Sequence, residues 1–173
     1  MGLDYAYVMA KRSFGLLTEK AAGCLEAMAR GEITEEFDNV IFTVIAATGV
    51  ISGIARGSNQ TALAHKFYEM TRRIFPETAR PYLHGEIVGV GLLLQNHYNG
   101  EGKSNGYLLS LMEKYGMPRC AADVGVEMTD EVFEEYYTRI CGSSAIDADD
   151  AEMCSRFRES LTYFWSIRRG EEK

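Results

Sequence analysis

Proline is scarce in this 173-residue chain: Pro76, Pro81 and Pro118 are the only three, so long stretches carry nothing that breaks a helix. Cysteine is sparse too. Cys24, Cys120, Cys141 and Cys154 stand far apart in sequence, which excludes the close Cys pairs of zinc ribbons and thioredoxin-like sites and suits a reducing cytoplasm. No basic cluster is denser than Arg72–Arg73 or Arg168–Arg169, and the formal charge is -7 with a pI near 5.0. Nucleic acid is therefore not an expected partner. The most apolar run, "VIFTVIAATGVISGIA" from Val40 to Ala55, is interrupted by Thr43, Thr48, Gly49, Ser52 and Gly53 and falls short of a bilayer's thickness. It predicts a buried helix, not a membrane span. The opening "MGLDYAYVMAKR" places Asp4 ahead of its basic residues and has neither a signal peptide's apolar region nor a cleavage site. Also missing is any β-branched strand leading through a glycine-rich turn into a helix, so the chain contains no dinucleotide-binding unit.

What is present is helical. With 46% hydrophobic residues the chain can bury the core of one domain, residues 1–173, and its apolar positions recur at spacings of three and four. The fold class expected is all-α. A first helix from about Asp4 to Arg30 presents Tyr5, Val8, Phe14, Leu17, Ala21, Leu25 and Met28 and ends at Gly31. Thr34 should cap a second, "EEFDNVIFTVIAATGVIS", whose early acids suit a helix N-terminus and whose uncharged end should lie inside. Ser58 or Asn59 should cap a third, "QTALAHKFYEMTRRIF", closed by Pro76, with His65 in its middle. A fourth is expected from His84 to Tyr98. Further helices are expected at Tyr107–Tyr115, at Asp130–Ile140 behind Thr129, and at Ala151–Trp165 behind Asp149 or Asp150.

The polar triplet His84-Gly85-Glu86 precedes the apolar Ile87, Val88, Val90, Leu92, Leu93 and Leu94. A histidine at the start of a rigid, buried helix is a good metal ligand because its ring is oriented in advance. His65 is the natural companion, since helices joined by one short loop pack antiparallel. His97 lies about four turns away from the helix start. Asp4, Glu69, Asp123 and Asp147 can each be put forward as a third ligand, although acids in an acidic protein are mostly surface or caps. On spacing alone, His65 and His84 are either satisfied core residues or two parts of a metal site.

Taken in order, "VIFTVIAATGVISGIARGSNQTALAH", "ALAHKFYE", "YLHGEIVGVGLLLQ" and "LMEKYGMPRCAADVGV" followed by "TDE" resemble the C-terminal helical domain of the iron-containing alcohol dehydrogenase superfamily, nearest to the glycerol dehydrogenase type. The resemblance runs over nearly the whole chain and implies a helical bundle of the kind shared with dehydroquinate synthase. It implies that His65 and His84 are the two histidine ligands of a catalytic zinc or iron that polarises an alcohol oxygen as hydride leaves for NAD. The family's aspartate ligand and nucleotide-binding domain lie upstream of the matching region. By that resemblance, NAD enters only through a domain this chain lacks, supplied by a complementary nucleotide-binding chain. The expectation from another class is a truncated, non-enzymatic helical module that forms homo-oligomers or regulates, with a relic metal site.

Overall fold

The computed structural model describes residues 2–55 and 62–167. They are helical, with no β-strand among them, as the apolar spacing predicts. The chain forms two compact units, residues 1–59 and 60–173.

In the first unit α1 (Gly2–Arg30) runs beside α2 (Glu35–Phe42), a five-residue π turn (Thr43–Ala47) and α3 (Thr48–Ala55). Thr34 begins α2 as expected, its hydroxyl accepting from the Phe37 amide at 3.3 Å. Gly23 lets α1 approach α2, because a Cβ there would meet Glu36 Cγ at 3.0 Å. The π turn has a local cause. The Thr48 hydroxyl bonds back to the Val44 carbonyl, and the Thr48 amide reaches past it to the Thr43 carbonyl, leaving one wider loop of backbone. The helical run Glu35–Ala55 departs from the sequence expectation in two ways. Its 21 residues are long and apolar enough, by length and composition, to cross a membrane, and Thr43 is its one buried residue.

The second unit contains α4 (Leu63–Ile74), α5 (His84–Tyr98), α6 (Asn105–Lys114), α7 (Asp130–Ile140) and α8 (Ala151–Ser166). Helix α5 runs through the middle, burying Ile87, Val90, Leu93 and Leu94 completely and packing against α4, α6 and α8. Its apolar residues cover most of its circumference, as a helix enclosed by neighbours requires. Phe67, Tyr136, Phe157 and Phe164 fill the space between α4, α7 and α8. The Tyr136 hydroxyl meets Thr71 Oγ1 at 2.8 Å inside this core, so the one polar atom of that ring is satisfied. Thr129 and Asp150 cap α7 and α8 by accepting from Val132 and Met153 at 3.3 and 2.9 Å.

The expected caps Ser58 and Asn59 lie outside the described residues. Helix α4 begins at Leu63, which puts His65 in its first turn and not in its middle. Ala62, at the cap position, has no side chain able to cap. Instead Gln95 reaches across from α5, its Oε1 accepting from the Ala64 amide at 3.1 Å.

Candidate metal centre

Helices α4 and α5 touch at Gly91. A Cβ there would lie 2.7 Å from the Ala64 carbonyl oxygen and 3.0 Å from Ala64 Cα, so only glycine permits this spacing. Arg72 secures the other end of the pair, donating to the carbonyls of Ala79 and Tyr82 at 2.7 and 2.5 Å and thereby holding the loop that leads into α5. At the start of α5 the Glu86 carboxylate accepts from the Leu83 amide at 2.6 Å. Glu86 is therefore committed to the helix terminus, in keeping with an acid at the positive end.

These constraints bring His65 and His84 together. Their ring centroids are 5.4 Å apart with planes inclined at 49°. Tyr68, one turn beyond His65, meets the His84 ring edge-on at 4.4 Å, and the Arg72 guanidinium lies 5.6 Å from the Tyr68 ring centre. His65 is half-buried and His84 exposed. Nδ1 of His65 is buried without a hydrogen-bond partner. Burial pushes the His65 pKa below the ordinary value of 6.5, and His84 and Lys66 push it the same way while Glu69 opposes them. The neutral imidazole, the form that ligates metal, is thus favoured.

An unpartnered buried ring nitrogen beside a second imidazole is a donor set that suits zinc or iron, and it would supply two of the three protein ligands a catalytic site normally uses. Among the described residues no cluster of three or more His, Cys, Asp or Glu side chains is placed to hold a metal ion. Glu69 pairs with Lys66 Nζ at 2.8 Å, Asp123 accepts from the Arg119 amide at 2.9 Å, and Asp147 accepts from the Asp149 amide at 3.0 Å. Asp4 belongs to the first unit. His97 stands apart as expected: it stacks on Tyr163 at 4.3 Å, and its Nδ1 is 3.0 Å from Ser160 Oγ. Because the Ser160 hydroxyl donates to the Arg156 carbonyl at 2.8 Å, the His97 Nδ1–H is the donor in that pair. The adjoining open cleft of about 540 Å³, lined by His97, Lys103 and Arg156 among others, includes neither His65 nor His84.

Tyr68 and Arg72 are parts of this arrangement that sequence reasoning did not single out. Their spacing of three and seven from His65 along one helix is the signal that could have found them.

Comparison with known proteins gives one partial likeness. Over 116 residues the chain is 22% identical to hydroxycarboxylate dehydrogenase A of Escherichia coli (strain K12), a match spanning 67% of this chain and 32% of that protein. The chain thus resembles about a third of a dehydrogenase. No family model matches it, and no solved structure does.

Proposed function

We propose that this chain is the metal-binding helical part of a cytoplasmic, glycerol dehydrogenase-like enzyme, with His65 and His84 as two ligands of a zinc or iron ion. The observation that carries the reading is the pairing of the two imidazoles, one with a buried, unpartnered Nδ1. The likeness to a dehydrogenase supports it. Held by His65 and His84, a bound ion would supply Lewis-acid polarisation of an alcohol oxygen. The chain's own residues prepare the ligands. Burial keeps His65 neutral, Tyr68 fixes the plane of His84, and Glu86 and Arg72 hold the start of α5 in place. The third ligand and the NAD-binding fold come from a complementary nucleotide-binding chain, and the helical part alone is inactive. The substrate class is a small molecule with an oxidisable hydroxyl: a polyol or simple alcohol, or a hydroxy acid of the kind named in the relative.

The shortage of a third ligand supports a second reading, a non-enzymatic helical module that self-associates or regulates and keeps a relic of the site. Calorimetric titration of the metal-stripped protein with zinc separates the two. One-to-one binding that His84→Ala abolishes supports the metal centre. No binding even with a candidate nucleotide-binding chain present, or binding unchanged in His84→Ala, refutes it and leaves the module. Mixing with a candidate nucleotide-binding chain over a panel of polyols and hydroxy acids then tests for alcohol-dependent reduction of NAD.

A further inference from the structure

The end of α5, the turn after it and part of α8 line the open cleft of about 540 Å³. One wall of it is rigid. Asn105, buried, donates to the Leu93 carbonyl at 2.9 Å and to the Tyr163 hydroxyl at 3.3 Å, and Tyr163 stacks on the His97 ring. Ser160 takes the His97 Nδ1–H, so in the neutral ring Nε2 is left as an acceptor. Gly102 runs past the same ring, where a Cβ would stand 3.4 Å from Cδ2. The imidazole is thus held by three neighbours, although the metal centre makes no use of it.

Charges of both signs stand unpaired in this cleft. The Arg156 guanidinium lies 4.3 Å from the Tyr98 ring centre and donates to the Tyr98 hydroxyl at 2.9 Å, so an aromatic face orients it and not a carboxylate. Glu159 follows one turn later on α8, the spacing at which helical ion pairs commonly form. Yet neither Glu159 nor Lys103 belongs to an ion pair or a side-chain hydrogen bond among the described residues. The end of α5 does not require the two cations as caps, because the Asn99, Gly100 and Glu101 amides already donate to the carbonyls of Gln95, His97 and Asn96 at 2.9, 3.0 and 2.7 Å. Two cations, one carboxylate and one imidazole acceptor therefore line the same space without satisfying one another.

We propose that this cleft binds a free acidic amino acid such as glutamate, at a site independent of His65 and His84. Arg156 and Lys103 take the two carboxylates, and Glu159 and His97 Nε2 accept from the ammonium. Two cations against one carboxylate leave the cleft one positive charge in excess, and an acidic amino acid carries one net negative charge, so ligand and cleft match in both number and sign of charge. A plain dicarboxylate would face Glu159 with nothing to offer it, and a neutral amino acid would leave one cation unused. Lys103, Arg156 and Glu159 are all exposed, so the binding is of millimolar strength.

The test is a titration of the isotope-labelled, metal-stripped full chain with L-glutamate, followed by nuclear magnetic resonance at the His97 ring and the Gly102 amide. Two comparison compounds each lack one charge: glutarate has no ammonium, and L-glutamine has no second carboxylate. Glutamate should give saturable shifts at both positions and none at the His65 and His84 rings, and each comparison compound should bind about fivefold more weakly, the upper end for an exposed ion pair. Glu159→Gln should weaken glutamate to the level of glutarate while leaving glutarate no weaker, a split that a merely structural role for Glu159 would not produce. Arg156→Gln should weaken all three compounds. No saturable shift, shifts confined to His65 and His84, equal affinity for glutamate and either comparison compound, or variants that bind as the wild type does would overturn the proposal. The comparison among ligands uses wild-type protein and does not depend on a variant folding.

Discussion

Gly91→Ala is the sharpest test of how α4 and α5 present the two histidines. The added methyl would lie 2.7 Å from the Ala64 oxygen and 3.0 Å from Ala64 Cα, well inside the 3.4 Å at which ordinary contact begins. Both obstacles are backbone, so no side chain can swing away and the helices must separate. Overpacking of this kind costs about 1–3 kcal/mol, while replacing glycine by alanine within a helix returns roughly 0.5–1 kcal/mol. The repulsion wins, and a net loss of about 1–2 kcal/mol is expected by urea denaturation. Gly106→Ala in α6 is the control. Nothing lies within 4 Å of its added methyl, so the same exchange should be neutral or stabilising by up to about 0.5 kcal/mol. Separation at Ala64 must also disturb its neighbour His65, so the ring chemical shifts of His65 and His84 should move in Gly91→Ala and stay put in Gly106→Ala. If Gly91→Ala is as stable as Gly106→Ala and leaves both histidines unchanged, the close approach does not set the spacing of the pair.

Other perturbations test other parts of the structure. Tyr136→Phe should cost about 1 kcal/mol by denaturation, whereas Thr71→Val, which leaves the buried Tyr136 hydroxyl without its partner, should cost more, about 1–3 kcal/mol; equal losses would contradict the pairing. Because the folded pKa of His65 is below 6.5, the unfolded chain binds more protons near that pH. The stabilisation from keeping His65 neutral is therefore complete above 6.5 and declines as pH falls through the folded pKa, and a pH series of melting curves should show this part of the slope removed in His65→Gln. Gln95→Leu should cost about 1 kcal/mol and loosen the first turn of α4, seen as faster amide exchange at Ala64.

Local chemistry made much of this fold legible. Thr34 and Thr129 cap the helices they were expected to cap, and α5 runs from His84 to Tyr98 as expected, since an N-terminal acid and a continuous apolar run are local signals. The start of α4 was not legible in the same way. Its first described turn is closed by Gln95, thirty-one positions from the Ala64 amide, and no pattern of adjacent residues reveals a cap supplied by another helix. The juxtaposition of His65 and His84 was readable from antiparallel packing, but its tightness depends on Gly91, one of several glycines in an apolar run. The stretch Val40–Ala55 shows the limit of reading burial from composition: its apolarity is evident, yet what covers an apolar helix is a property of its neighbours.

The capping of α4 by Gln95 sets an order of events as the chain emerges during synthesis. The helix that carries His65 leaves the ribosome first, but the Ala64 amide in its first turn gains its side-chain acceptor only once Gln95 has followed, by which time His84 and nearly all of α5 are already out. A nascent chain that ends before Gln95 therefore carries both histidines but lacks the bond that ties the first turn of α4 to α5.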